Sequence, residues 1–193
     1  MTVATTIPLM TYEEFMDLPD DGLDRELIRG VVKVRGEATK MTRRSRKHCR
    51  VSSKVTAALE IWMATQPQPR GEVLVGEAAF RLSDESDSGV GIDVAYVDSD
   101  LIADTDEDAF EIVGPPTLAV EVLSASDQHR DIVEKIELYL EAGVPVVWVI
   151  DPDLKVVHVH RPNEEPISFN IRHELTAEPD LPGFRIAVAD LFA

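Results

Sequence analysis

Two acids stand where a globular chain ordinarily places aliphatic side chains. Asp93 lies in the run VGIDVAYV and Glu121 in LAVEVLS, both strand-like in composition. An ionised carboxylate in a dry core is costly unless it is paired, hydrogen-bonded or bound to a metal. One such acid is easily explained as a strand-end residue that faces solvent or meets an arginine. Two, on strands that can be neighbours, point to a shared metal or catalytic site. Side chains alternate along a strand, so both carboxylates are expected on one sheet face, close enough to share an ion. Ile92, Val94, Val120 and Val122 then belong to the other layer. Fourteen residues beyond Glu121, Lys135 sits in the helical segment DIVEKIELY. It is either a partner that reaches Glu121 from above or the exposed i,i+4 partner of Asp131.

Other chemistry-bearing residues carry weaker signals. Glu26, in RELIRG, reads in isolation as a solvated strand residue. His48 has no second histidine or cysteine at ligand spacing, which argues against zinc; it is expected to touch a phosphate or help cap a helix, the plainer role preferred. His158 and His160 share one side of a strand but lack a third ligand, so they read as exposed strand residues. The SAS after Glu121 lacks the G-x-S-x-G setting of a hydrolase nucleophile, and Ser124 is expected to shape a strand-to-helix turn. Trp62, Trp148 and Tyr139 read as packing.

The elements that must position these residues follow from periodicity. TYEEF is a short helix with Thr11 and Glu14 at capping-box spacing. RELIRGVVKVRG is a hairpin turning at Arg29-Gly30. Val51, Val55, Leu59 and Trp62 recur at helical spacing through SRKHCRVSSKVTAALEIWMATQ, which Pro67 and Pro69 close. EVLVGEAAFRLS, VGIDVAYVD, TLAVEVLS, VVWVID and KVVHVHR are strands, several apolar on both faces as central strands are. Between the third and fourth lies the helix QHRDIVEKIELYLEA, with Asp127 as its cap, Ile132, Ile136 and Leu140 as its stripe, and Gly143 just past its end. Strand, helix, strand at this spacing is a right-handed βαβ crossover. SDESDSG and DSDLIADTDEDAFE read as acidic surface loops. The fold class is α/β, a central mixed sheet flanked by helices, in one domain over residues 1–193 with its core from residue 10.

A formal charge of -17 excludes an indiscriminate nucleic-acid binder, because phosphate repels such a surface. The cations are unevenly placed, however. Nine of the 19 basic residues fall between Lys33 and Lys54 (Lys33, Arg35, Lys40, Arg43, Arg44, Arg46, Lys47, Arg50 and Lys54), opposed only by Glu37. This interval is either a phosphate-gripping patch, with Arg43, Arg44, Arg46 and Lys47 at its centre, or a solvated helix start. The single Cys49 suits a reducing compartment. The opening MTVATTIPLM lacks the pattern of a signal peptide, and no apolar run approaches the roughly 18 residues of a membrane span. A cytoplasmic protein is expected, with no membrane partner.

An Asp on one strand and a Glu on the next core strand resemble the PD-(D/E)XK nuclease superfamily, and within it the chain resembles the Uma-type restriction endonuclease family. The resemblance runs from TYEEFMDLPDDGLDRELIRGVV through GIDVAYV and LAVEVLSASDQHRDIVEKIELYLEAGVPVVWVIDP to LPGFRIAVADLF. It implies a restriction-endonuclease-like fold and a metal-dependent endonuclease acting on DNA. Asp93 and Glu121, with the main-chain carbonyl of Val122, would hold Mg²⁺ or Mn²⁺ through oxygen ligands. Glu26 matches an acid that accompanies this pair. The superfamily pattern has a lysine two residues after the Glu, where this chain has Leu123; the resemblance makes Lys135 the substitute. A homodimer would let two sites address two strands. The missing lysine and the acidic surface keep a second reading open, a scaffold or regulatory module on the same fold without turnover. An enzyme acting on a small phosphate ester is a third, with no motif of its own.

Overall fold

The computed structural model describes residues 9–34, 44–83, 87–125 and 127–193. The opening segment to residue 8, Arg35, Glu37, Lys40 and Arg43 of the basic interval, residues 84–86 of the first acidic stretch, and Ser126 lie outside them. Helix α1 (Tyr12–Met16) has its full capping box, with Thr11 and Glu14 exchanging side-chain to backbone bonds. Strands β1 (Arg25–Ile28) and β2 (Val31–Val34) form the hairpin. Its turn residues Arg29 and Gly30 have φ of 49° and 75°, the left-handed pair a two-residue turn of matching twist needs. Then follow α2 (Arg46–Met63), β3 (Glu72–Arg81), β4 (Gly89–Val97), α3 (Ser99–Ala103), β5 (Ile112–Val113), β6 (Leu118–Val122), α4 (His129–Glu141) and β7 (Val146–Asp151). The chain ends with β8 (Val156–His160), β9 (Ile167–Asn170), β10 (Glu174–Thr176), β11 (Arg185–Ala187) and α5 (Val188–Leu191).

Two local expectations need correction. The second acidic stretch is not all loop, because Asp98 accepts from the N–H groups of Asp100 and Leu101 at 3.0 Å and so caps α3. Asp127 does not cap α4. That position belongs to Gln128, while the Asp127 carboxylate accepts from Ser124 N at 2.6 Å and tightens the turn between β6 and α4.

The main sheet runs β2-β1-β4-β6-β7-β8-β9, with β3 also paired to β4 and β5 to β3. It is mixed, as predicted. β6 and β7 are parallel and joined through α4, β3 and β5 are parallel, and the other ladders are antiparallel. One core cluster joins Val51, Val55, Leu59 and Trp62 of α2 to Val94, Val120 and Trp148 of the sheet. The other joins Leu138 and Tyr139 of α4 to Ala95, Ala119 and Val147. So α2 and α4 cover opposite faces. Trp62 and Trp148 do pack: Trp62 meets Tyr96 edge-on with centroids 5.1 Å apart, and Phe184 lies against both tryptophans.

The hairpin turn holds β1, and hence Glu26, in register. A side chain at Gly30 would need a strained φ and would meet Leu9 Cβ at 3.1 Å and Met10 O at 3.2 Å. Gly30→Ala is therefore expected to cost about 1 kcal/mol or more of stability, read as a lowered urea midpoint with unchanged slope.

Candidate active site

The sheet forks on one edge of β4. β3 lines one side of this strand along most of its length. The other side pairs with β1 only at Gly89 and with β6 only from Val94 onward. Residues 90–93 of β4 therefore face a gap between β1 and β6. Backbone groups in such a gap need other partners, and the candidate residues provide them. Gly91 N donates to Glu26 Oε1 at 3.2 Å, and Gly91 O accepts from Lys135 Nζ at 3.0 Å. Just beyond the last β4–β6 pair, Val122 N donates to Asp93 Oδ2 at 2.8 Å.

Lys135 is the hub. Its ammonium lies 2.9 Å from Glu26 Oε1 and 2.8 Å from Glu121 Oε1. All three residues, and Asp93 with them, are at most 4 % exposed. The surface pair with Asp131 does not form. The buried face of α4 is Lys135, Leu138 and Tyr139, while Ile132, Ile136 and Leu140 are only partly buried. The expected aliphatic stripe is displaced because the acids beneath the helix need donors, and the lysine and tyrosine supply them. Tyr139, one turn after Lys135, donates its hydroxyl to Glu121 Oε1 at 2.5 Å. Reading it as packing alone was incomplete; a buried tyrosine at i+4 from the lysine carries a polar tip that must be satisfied.

Asp93 is met from the opposite helix. His48 Nε2 lies 3.1 Å from Asp93 Oδ2, and the ring is buried. Burial pushes the Asp93 carboxyl up. The hydrogen bond and electrostatic pull of His48, the Val122 N–H and the charge of Lys135 outweigh it and hold the group below the usual carboxylate range. His48 thus has a specific partner rather than the plain role preferred from sequence. The signal was present: His48 begins the stripe Val51, Val55, Leu59, Trp62, so its ring had to face the interior. His158 stands apart from this set and lies against Ser168 Oγ, at 2.8 Å.

The simple alternation expected along β4 fails. Val94, Val120 and Val122 share the α2-side cluster, but Ile92 belongs with Val90 and Ala119 on the α4 side. The break falls at Asp93, opposite an irregularity where β3 places Gly76 and Glu77 between Val75 and Ala78. Such bulges add twist and re-aim side chains. As a result Asp93 reaches a histidine of α2 while Glu121 reaches a lysine and a tyrosine of α4, so the two carboxylates are tied to helices on opposite faces and not to one face as expected.

Three buried carboxylates, one buried ammonium and the buried His48 ring meet around the gap. Among the described residues no three His, Cys, Asp or Glu side chains form a metal cage. Of the basic interval, Lys33 pairs with Glu134 at 2.9 Å, Arg44 with Glu77, and Lys47 with Asp153.

A family model named Uma2, described as "Putative restriction endonuclease", matches residues 12–189. The crystal structure of a protein from Anabaena variabilis, titled a putative nuclease belonging to DUF820, superposes with a TM-score of 0.76 at 23% identity. The match covers 95% of this chain and 97% of that one, and at this identity it establishes the fold. No curated protein matches the chain.

Removing the hub takes the ammonium away from two buried carboxylates, Glu26 and Glu121. Lys135→Ala is expected to lower the unfolding free energy by about 3 kcal/mol in a urea melt, the scale of breaking a buried pair. An exposed helix pair would give at most about 0.5 kcal/mol, and a loss that small would contradict the buried geometry.

Proposed function

The chain belongs to the Uma2 family, and from that premise we propose that it is a divalent-metal-dependent endonuclease hydrolysing DNA phosphodiester bonds. The observation that carries the proposal is the Lys135 ammonium held between Glu121 and Glu26 at the fork. Leu123 stands where the superfamily pattern has its lysine, and an ammonium from α4 reaches the same glutamate instead. The site has the required charge without the usual spacing.

Asp93, Glu121 and the main-chain carbonyl of Val122 would hold Mg²⁺ or Mn²⁺, an all-oxygen set suited to a hard ion. When bound, the ion polarises the scissile phosphate and acidifies a water. The remaining work belongs to the chain. Lys135 offsets charge that grows as the bond to phosphorus forms, and it donates to the attacking water or a phosphate oxygen by giving up one of its three contacts, to Glu26, Glu121 or Gly91 O. Glu26 fixes Lys135 and the Gly91 backbone at the fork. Tyr139 holds Glu121 by one oxygen, and His48 with the Val122 N–H holds Asp93 by Oδ2. The breaking P–O bond releases an alkoxide that takes a proton from solvent. We read the active form as a homodimer, whose two sites would address two strands.

The test is plasmid cleavage in Mn²⁺ at high enzyme concentration. Asp93→Asn and Glu121→Gln are expected to abolish cleavage, and Lys135→Met to slow it roughly 10²-fold or more, the scale of one lost electrostatic stabiliser. Millimolar Mg²⁺ should raise the melting temperature of the parent protein but not of Asp93→Asn. Absence of cleavage by the parent across supercoiled, linear and single-stranded DNA would favour the non-catalytic module instead.

A further inference from the structure

Between α2 and the bulged part of β3 lies a cleft of about 500 Å³, lined by Arg44, His48, Ser52, Gly76, Glu77 and Asp93 among others. It is an approach to Asp93 from solvent on the α2 side. Its mouth is spanned by an ion pair between Arg44, just before α2, and Glu77, and the same guanidinium nitrogen of Arg44 lies 3.8 Å from Asp24. Glu77 is held there by an unusual backbone. Gly76 and Glu77 have φ of 97° and 63°, and left-handed geometry at a glutamate is strained. Its carboxylate also lies over Gly91, where a Cβ would come within 2.8 Å of Glu77 Oε2. The bulge and the bare glycine together aim a carboxylate at the one arginine in the cleft.

The rim of the cleft carries a second feature. Cys49, Ser53 and Ala57 form part of the wall. On the adjoining edge of α2, Arg46, Arg50 and Lys54 recur every four residues and are all exposed. Spacing of four sets side chains in one row, each step advancing about 6 Å along the axis. Unlike Lys33, Arg44 and Lys47, these three enter no ion pair among the described residues. On a chain of net charge -17, an unopposed cationic row beside an acid-floored cleft is the place where a polyanion is least repelled.

We infer that the substrate strand lies along this edge of α2, its phosphates on Arg46, Arg50 and Lys54, and that the phosphate entering the cleft takes Arg44 from Glu77. This rests on the nuclease reading for its substrate class and adds the direction of approach and a competing carboxylate. Glu77 occupies Arg44 as a phosphate would, so the cleft accepts a phosphodiester only by exchange. An arginine fork suits such an exchange because it binds carboxylate and phosphate alike.

The experiment is fluorescence anisotropy with a short labelled DNA duplex over a range of salt, in EDTA and in Ca²⁺, with plasmid cleavage measured in parallel. Each of Arg46→Gln, Arg50→Gln and Lys54→Gln should flatten the slope of log affinity against log salt by about 1, the value of one phosphate contact. Arg172→Gln and Lys155→Gln, exposed cations elsewhere, should leave the slope unchanged. Glu77→Gln should tighten binding about fivefold, the scale of one partly exposed ion pair, and the gain should vanish when Arg44→Gln is added. Arg44→Lys keeps the charge and removes the fork, so it should bind more weakly than the parent even if Arg44→Gln folds poorly. Unchanged slopes for the α2 variants, or Glu77→Gln without effect, would overturn the inference even if the parent cleaves DNA. Binding with the expected slopes but no cleavage would uphold this surface while the nuclease reading falls. A parent that neither binds nor cleaves would sink both.

Discussion

Lys135 sits where a globular protein least tolerates charge, and the candidate site is organised around keeping it there. Its ammonium and the carboxylates of Glu26 and Glu121 are almost completely removed from water. Desolvation of such groups costs several kcal/mol per ion even after relaxation. Contacts of 2.8 and 2.9 Å, with further bonds from Tyr139 and the Gly91 backbone, offset that cost. An aliphatic cluster of the same volume would serve stability as well or better. A chain that instead keeps a lysine in this position retains a preorganised charge, with the helix α4 as its rigid mount.

The fork in the sheet explains how so many polar groups converge. A continuous ladder would satisfy the backbone of β4 by itself and leave no room for side chains in the plane of the sheet. Because β1 leaves at Gly89 and β6 joins at Val94, the intervening peptide groups are bonded by Glu26 and Lys135, and the Val122 N–H by Asp93. The same groups that complete the backbone hydrogen bonds are thereby fixed in place. Opposite the fork, the bulge at Gly76 and Glu77 supplies the twist that turns Asp93 toward α2. One carboxylate is tied to each helix, and the two layers meet chemically at the gap.

The acidic composition fits the same picture. Three of the basic residues between Lys33 and Lys54 are engaged by Glu134, Glu77 and Asp153, so the charge read from sequence overstates the free positive surface. What remains unopposed on α2 is a narrow row. A narrow cationic row on a repelling body favours a bound geometry over indiscriminate adsorption.

Much of this was legible in the chain itself. Apolar runs and turn residues defined the strands, the hairpin at Arg29-Gly30, the amphipathic α2 and the βαβ unit around α4, because hydrophobic period and local turn chemistry are short-range properties. Asp93 and Glu121 stood out because an acid in an apolar run needs a reason. The partners did not stand out. Lys135 had two readings, toward Glu121 fourteen residues back or toward Asp131 four residues back, and only packing of α4 on the sheet chose the inward one. Tyr139 and His48 were on the correct helical faces, yet nothing local says which carboxylate a buried donor will find 18 or 45 residues away. The alternation rule misplaced Ile92 because a bulge in β3 changed the twist of its neighbour, a non-local effect. Sequence alone determined which elements form and which residues are out of place in them. The pairing of acid with base, and the gap that holds them, were decided by how strands distant in the chain diverge, since charges buried at about 3 Å are set by tertiary contacts and not by the period of any one segment.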